Sequence, residues 1–339
     1  MKKQSILFVY VDYSTFVHSD FEILSSFAMV SKYQFKPVKG LVRTGIELFR
    51  QLIFLIFQGF KYDSVFIWFS DYHSLLPVLF AKIYGKKSFV VIGGFDVASL
   101  PEFNYGALSN PVRAFFSRNT LKLASLCFPV AEALKKKLLG INPNARCEVI
   151  ATRQDSEKFS FEEYERPKRI VTVSGTKNYQ RLMVKGLDRF RELALLLPEF
   201  EFQIIGATET VRHYFEPLPA NLVLLPSADF GQMCQYYRNS SFYAQLSRSE
   251  GLPNALCEAM LCGCIPVGTD VGDVRLAIGN TGLAIDEWVP EQLADFIRIN
   301  HNNNTLRDAA RARIADLYPP GIRKEKFSIL LQTSPEGHK

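Results

Sequence analysis

The sequence predicts an α/β protein with two doubly wound, Rossmann-like domains facing a central cleft. Three observations carry this. At 339 residues the chain is too long for one ordinary core and short for three. Short β-rich apolar runs recur along it, continuous rather than alternating, as in parallel strands buried on both faces. Helix-length segments alternate with these runs, which is the pattern of βαβ units.

In the first half the runs at 6–11, 33–38, 65–69, 89–92, 126–130 and 147–151 read as strands, and 21–31, 45–58, 74–84, 111–123 and 131–139 as helices. Met1-Lys2-Lys3 leads straight into the first run with no small-residue cleavage site, so that run is read as a strand and not a leader. The longest apolar stretch, 41–60, is interrupted by Arg43, Glu47, Arg50 and two glutamines, and so reads as a helix that does not span a bilayer. In the second half strands fall at 170–174, 202–205, 222–225, 242–246, 265–268 and 282–285, and helices at 187–197, 232–238, 253–261, 290–300 and 305–317. Six strands in each half imply two sheets. The charged stretch 152–168, ending near Pro167, is the expected seam. The expected domains are 1–160 and 161–320, followed by a partly helical tail, 321–339. Arg323, Lys324 and Lys326 make its start basic, and it is expected to pack toward the first domain.

Hydrophobic content of 47% and charged content of 22% exclude a disordered chain, a collagen and a small disulfide scaffold. The net charge of +6 is uneven. Residues 1–160 hold 20 Lys and Arg against 12 Asp and Glu, whereas 161–339 hold 20 against 22. A basic first half fits a phosphate-bearing partner or an anionic membrane surface, or else a solvated face. The apolar helix bracketed by Arg43, Arg50 and Lys61 either faces the core or rests on a membrane as a peripheral contact. Nucleic acid is not expected: there is no aromatic-basic stacking motif, and Lys135 to Lys137 sit on one short helical segment. The six cysteines, scattered among apolar neighbours, read as reduced thiols of a cytoplasmic protein.

No G-x-G-x-x-G follows a strand, which leaves a dinucleotide without support. Gly40 and Gly45 have P-loop spacing, but Ile46 stands where lysine is required. There is no D-x-D pair and no H-E-x-x-H, and the five histidines lack ligand spacing, so no metal is assigned. The informative segment runs from Ser247 to Val267. A strand ends near Leu246, Glu250-Gly251-Leu252 turns, Pro253 suits the first helical position, and Gly263 ends the helix. Glu250 and Glu258 meet at a helix N-terminus whose free N–H groups and dipole attract an anion. That arrangement suits a nucleoside diphosphate sugar: diphosphate at the helix start, ribose hydroxyls on Glu258, sugar hydroxyls on Glu250 and the amides of Gly251 and Leu252. Alternatively the two acids simply complement the dipole.

This segment resembles the E-x7-E signature of retaining glycosyltransferases of family 4, which have the GT-B fold. Val173-Ser174-Gly175, followed by Lys185-Gly186, resembles the first loop and helix of the family's C-terminal domain. Val130-Ala131-Glu132, the stretch Val149-Ile150 to Phe159, and Gly93-Gly94-Phe95-Asp96 resemble further family stretches. The resemblance covers about residues 5–300. It implies a C-terminal donor domain and an N-terminal acceptor domain, transfer with retention, no metal cofactor, and a role in bacterial surface-polysaccharide assembly. It implies Glu250, Lys185 and Asp96 as catalytic residues. Arg181, Lys185, Glu250, Gly251, Leu252, Glu258 and Gly175 would hold the donor, with Lys185 and Arg181 neutralising its diphosphate. Ser14, Thr15, His73, Gly94 and Asp96 are the acceptor-side candidates. The chain departs from the family twice. Its first loop, Asp12 to Phe16, has no glycine, and Gly93 stands where many relatives have histidine. The partners implied are a nucleotide sugar and a glycan or lipid-linked acceptor, in the cytoplasm or peripherally at the inner membrane face. The alternatives are another GT-B enzyme, such as a sugar-nucleotide epimerase or phosphorylase, and a non-catalytic nucleotide-sugar binder.

Overall fold

The computed structural model describes residues 3–38, 40–152, 154–160, 165–175, 178–207 and 212–332. Part of the expected seam (153 and 161–164) and the end of the tail (333–339) lie outside them. The chain divides into two compact units, 1–153 together with 321–339, and 154–320.

The first unit holds β1 (Ser5–Tyr10), α1 (Thr15–Ser25), β2 (Met29–Gln34), α2 (Leu41–Gln58), β3 (Ser64–Trp68), α3 (Leu75–Ile83), β4 (Lys87–Ile92), α4 (Pro111–Leu123), β5 (Leu126–Pro129) and α5 (Glu132–Ile141). Its strands form a parallel sheet in the order β2-β1-β3-β4-β5. β1 and β3 are buried on both faces, which is why they read as continuous apolar runs. Phenylalanines on one face form a ring ladder: Phe8 stacks on Phe66 at 5.6 Å and Phe89 on Phe128 at 5.8 Å. The tail helix α13 (Ile322–Gln332) closes this face, with Phe327 5.3 Å from both Phe66 and Phe128. Arg323 enters the same core. Its Nε and Nη2 donate to the two carboxylate oxygens of Asp20, each at 2.6 Å, and Trp68 Nε1 donates to Asp20 Oδ2 at 2.9 Å.

The second unit holds β6 (Arg169–Val173), α6 (Tyr179–Val184), α7 (Leu187–Leu196), β7 (Glu201–Ile205), β8 (Leu222–Leu225), α8 (Phe230–Arg238), β9 (Phe242–Gln245), α9 (Asn254–Leu261), β10 (Ile265–Thr269), α10 (Val274–Ile278), β11 (Leu283–Ile285), α11 (Pro290–Asn300) and α12 (Asn304–Leu317). Its parallel sheet has the order β11-β10-β9-β6-β7-β8. Phe190, Phe202, Leu246, Val267 and Ile297 belong to its buried core.

Three expectations shift. The first helix starts at Thr15 rather than 21, because Ser14 occupies the extended N-cap position just past β1. The second strand comes earlier, at Met29–Gln34; it is an exposed edge strand and so lacks an unbroken apolar run. Residues 147–151 do not form a sixth strand. They run beside β5, with one bridge at Cys127–Cys147 and an Ile150 N–H to Pro129 carbonyl bond of 3.0 Å. Pro129 has no N–H to return, which leaves the ladder incomplete. Among the described residues the first sheet therefore has five strands and the second six.

Candidate functional site

In the second sheet the chain builds outward from β6 through β7 and β8, then returns to the other side of β6 with β9, β10 and β11. Loops leaving the carboxyl ends of β6 and β9 diverge at this reversal, where open α/β sheets offer a crevice to ligands. Lys185 lies beyond β6, at the end of α6, and Glu250 lies beyond β9. They meet there, with Lys185 Nζ 2.7 Å from Glu250 Oε1.

The Lys-Gly pair works because of its glycine. Gly186 has φ +68°, and a Cβ on it would fall 1.9 Å from the Leu246 carbonyl oxygen. The turn between α6 and α7 therefore presses against the end of the β9 segment, and that approach brings Lys185 to Glu250. Arg248 fastens the same junction. Its backbone N–H donates to the Val184 carbonyl at 2.7 Å, and its guanidinium forks onto Asp188 at 2.7 and 2.8 Å. This clamp was not foreseen, because the sequence alone does not pair positions 60 residues apart.

Glu250 Oε1 accepts from Lys185, from Gln245 Nε2 at 2.9 Å and from Ser247 Oγ at 2.7 Å. Oε2 takes no hydrogen bond among the described residues. The turn itself is buttressed from below. The Asp273 N–H donates to the Gly251 carbonyl at 3.0 Å, and a Cβ on Gly272 would fall 2.5 Å from the Glu250 carbonyl oxygen. Gly251 and Leu252 are buried within it.

Glu258 sits on α9, which begins at Asn254; Pro253 is the residue before the helix, not its first member as the spacing predicts. The Glu258 carboxylate is largely buried, with an open edge, and accepts from the Tyr237 hydroxyl at 3.3 Å. Burial pushes its pKa up to about 7, and the tyrosine bond offsets part of that. Tyr243, buried on β9, has its hydroxyl pKa pushed up by burial first and then by both Glu250 and Glu258. The two carboxylates thus act on one tyrosine. Neither Tyr237 nor Tyr243 stood out in the sequence, since a tyrosine on a helix or a buried strand reads as core. Arg181 is exposed on α6, one helical turn before Lys185, and its side chain makes no hydrogen bond or ion pair among the described residues. Gly175, in the loop after β6, has φ +54°.

In the first sheet the reversal lies between β1 and β3. The loops after these strands carry Ser14, Thr15 and His73. Thr15 is exposed; Ser14 Oγ is buried without a hydrogen-bond partner among the described residues. His73 is buried, its Nε2 2.8 Å from the Trp68 carbonyl, and burial lowers its pKa, so the neutral ring donates there and is tied into the fold. Asp96 is also fully buried. Its carboxylate accepts from the N–H groups of Gly94 at 2.8 Å and Ser70 at 3.3 Å, and burial pushes its pKa up to about 6. It shapes the loop that carries Gly94. A Cβ on Gly93 would lie 2.2 Å from the Phe69 ring, so Phe69 fills the space a larger residue would need. Phe69 itself adopts φ +68°, an uncommon conformation for a bulky residue.

Residues 167–302 match the family model "Glycosyl transferases group 1". No curated protein sequence matches the chain. Among solved structures, sucrose-phosphate synthase from Thermosynechococcus elongatus is similar, with a TM-score of 0.78 and 12% identity over 97% of this chain and 98% of that one. HepE of Anabaena, solved with UDP and glucose, has a TM-score of 0.72 and 13% identity over 97% and 99%. A glycosyltransferase from Rickettsia africae has 0.72 and 15% over 98% and 100%. These likenesses give the fold. The chain consists of two parallel-sheet α/β domains of the GT-B type, and the match to the group 1 glycosyltransferase model falls within the second.

Proposed function

We propose that the chain is a retaining glycosyltransferase of family 4 that moves a sugar from a nucleoside diphosphate sugar to a hydroxyl of a glycan or lipid-linked acceptor. The observation that carries this reading is the meeting of Lys185 and Glu250 at the strand-order reversal, inside the segment that the group 1 model matches. Lys185, with Arg181 one turn away, binds the diphosphate and stabilises the charge that develops as it leaves. Glu258, as carboxylate, accepts from the ribose hydroxyls. Glu250 is held by three donors on Oε1, which leaves Oε2 to accept from a hydroxyl of the donor sugar. The bond from the anomeric carbon to the diphosphate breaks, and the acceptor oxygen forms its bond on the same face. The acceptor proton passes to a diphosphate oxygen, so no protein nucleophile is needed. Asp96 and His73, being buried, act as positioning residues for the first unit's loops; Ser14, Thr15 and Gly94 remain the acceptor-side candidates. The reading places the reaction in the cytoplasm, in surface-polysaccharide assembly; the free cysteines fit a reducing compartment.

HepE was solved with UDP-glucose, which makes UDP the first probe. Calorimetry should show UDP binding that Lys185→Ala and Glu258→Gln weaken. Proton NMR of the product made from an α-linked UDP-sugar should show an α-linkage. Binding to no nucleoside diphosphate, or a β-linked product, would overturn the reading.

A further inference from the structure

Helix α2 is inside out. Its buried positions are Thr44, Glu47, Gln51 and Leu55, three of them polar. Gln51 Nε2 donates inward to the His73 carbonyl at 2.9 Å, and Thr44 Oγ1 donates back to the helix's own Gly40 carbonyl at 3.0 Å. The opposite face is apolar and open. Val42, Ile46, Phe49, Ile53 and Ile56 follow one another at helical spacing, with Phe49 64% and Phe57 72% exposed. A single monomer rarely exposes so continuous an apolar surface without a partner for it. Arg43 and Arg50 border this face, and Glu47, the only acid between 41 and 61, is buried beneath it, 3.6 Å from Arg50.

The surface continues past the helix. Phe60, 52% exposed, packs on Tyr84 with ring centres 4.6 Å apart, and Ile83 beside it is 72% exposed. Lys86 donates from here to the Phe60 carbonyl at 3.1 Å. Lys86 also lines a cavity of about 790 Å³ together with Lys82, Lys87 and Arg146. The acid in that cavity, Glu148, is paired with Lys326 at 2.7 Å. An apolar helix face, an aromatic edge and a cationic cavity thus adjoin within the first unit.

We infer that this face docks on an anionic phospholipid leaflet, with α2 lying in the interface and the cationic cavity taking lipid phosphate. The charge pattern selects this occupant. A second copy of the chain would bring the same arginines and no exposed acid from this helix to meet them. A leaflet supplies hydrocarbon for Phe49 and Phe57, an interfacial level for Tyr84, and phosphate for the lysines. Among the described residues no helix is long and apolar enough to cross a membrane, so the contact is peripheral.

The test uses the full chain and vesicles of phosphatidylcholine with or without phosphatidylglycerol. Each basic residue brought to an anionic surface strengthens binding about fivefold, and salt screens the effect. The wild type should sediment with the anionic vesicles, less so at high salt. Arg43→Gln should weaken that binding about fivefold, and Arg50→Gln by less, since Glu47 offsets part of its charge. Lys82→Glu with Arg146→Glu should weaken it on anionic vesicles only. Phe49→Glu with Phe57→Glu should abolish it on all vesicles while leaving the circular dichroism spectrum and UDP affinity unchanged, since both side chains are exposed. Equal recovery on neutral and anionic vesicles would overturn the proposal. So would a dimer in light scattering that Phe49→Glu with Phe57→Glu turns into monomer, because a second copy would then cover the face. UDP binding is read separately, so failure here is distinct from failure of the transferase reading.

Discussion

Replacing Glu258 by Gln removes a charge from a place that resists it while keeping the shape of the side chain. Burial raises this carboxyl from the ordinary 4.5 to about 7. At full value that shift is worth roughly 3 kcal/mol; the open edge of the carboxylate reduces it to about 2 kcal/mol. The sign follows from linkage. A carboxyl whose pKa is raised by folding favours the folded state at low pH, and that contribution is lost as pH climbs from the unfolded value through about 7. At pH 8 the wild type therefore carries the cost of an ionised, mostly buried Glu258, and Glu258→Gln does not. Calorimetric melting should show the second unit of Glu258→Gln melting roughly 4–8 °C higher at pH 8, with only a small remainder of that gain near pH 5. UDP binding should move the other way. Wild-type affinity should rise through pH 7 as the carboxylate forms, and Glu258→Gln should be weak and flat with pH. An equal melting shift at both pH values would refute the burial argument, and a pH-independent wild-type affinity would refute the ribose assignment.

Lys185→Ala should weaken UDP binding by roughly 2–5 kcal/mol, since a charged partner of a desolvated diphosphate is lost; calorimetric titration measures it directly. Gly186→Ala should cost roughly 3 kcal/mol in urea unfolding, because the new methyl would meet the Leu246 carbonyl at 1.9 Å and the residue has φ +68°. Even where it folds, it should weaken UDP binding, by displacing Lys185. Arg323→Ala should destabilise the first unit by roughly 3–5 kcal/mol, leaving Asp20 buried without its partner. Denaturant unfolding of the single variant against Arg323→Ala combined with Asp20→Asn checks this; the double variant should recover part of the loss.

Fold class was legible because parallel strands buried on both faces leave unbroken apolar runs, as at β1, β3 and β9. What escaped was structure whose signal is not apolar. β2 is exposed on an edge, and 147–151 looks like a strand but runs beside a proline. The positions of Glu250, Glu258 and Lys185 were readable from one short segment and one Lys-Gly pair. Their environments were not. Nothing local says that Arg248 clamps Asp188, or that the Tyr237 hydroxyl reaches Glu258. Asp96 and His73 show what residue type and loop position leave out. Residue type and loop position marked them as ligand contacts, but both are buried and occupied by backbone groups. The apolar stripe of α2 was visible, yet its direction was not, since amphipathicity alone does not say which face meets the protein.

Two buried carboxylates contrast a charge that the fold pairs with one that it leaves under-compensated. Asp20 receives both arms of Arg323 and the Trp68 indole N–H, and Arg323 donates in turn to the carbonyls of Ile150 and Ala151. Both charges are paired and hydrogen-bonded inside the protein, so this pair ties the returning tail to the first sheet. Glu258 has one tyrosine at 3.3 Å and an open edge. A nucleotide's ribose would bring the missing donors, and binding would then recover free energy that the empty site forgoes. Glu250 lies between these cases, with one oxygen saturated and the other not. Under-compensated buried groups gathered at a strand-order reversal are where stability has been traded for recognition. By that criterion the proposed donor site of the second unit is sought at Lys185, Glu250 and Glu258, whereas the Asp20–Arg323 pair is a structural tie.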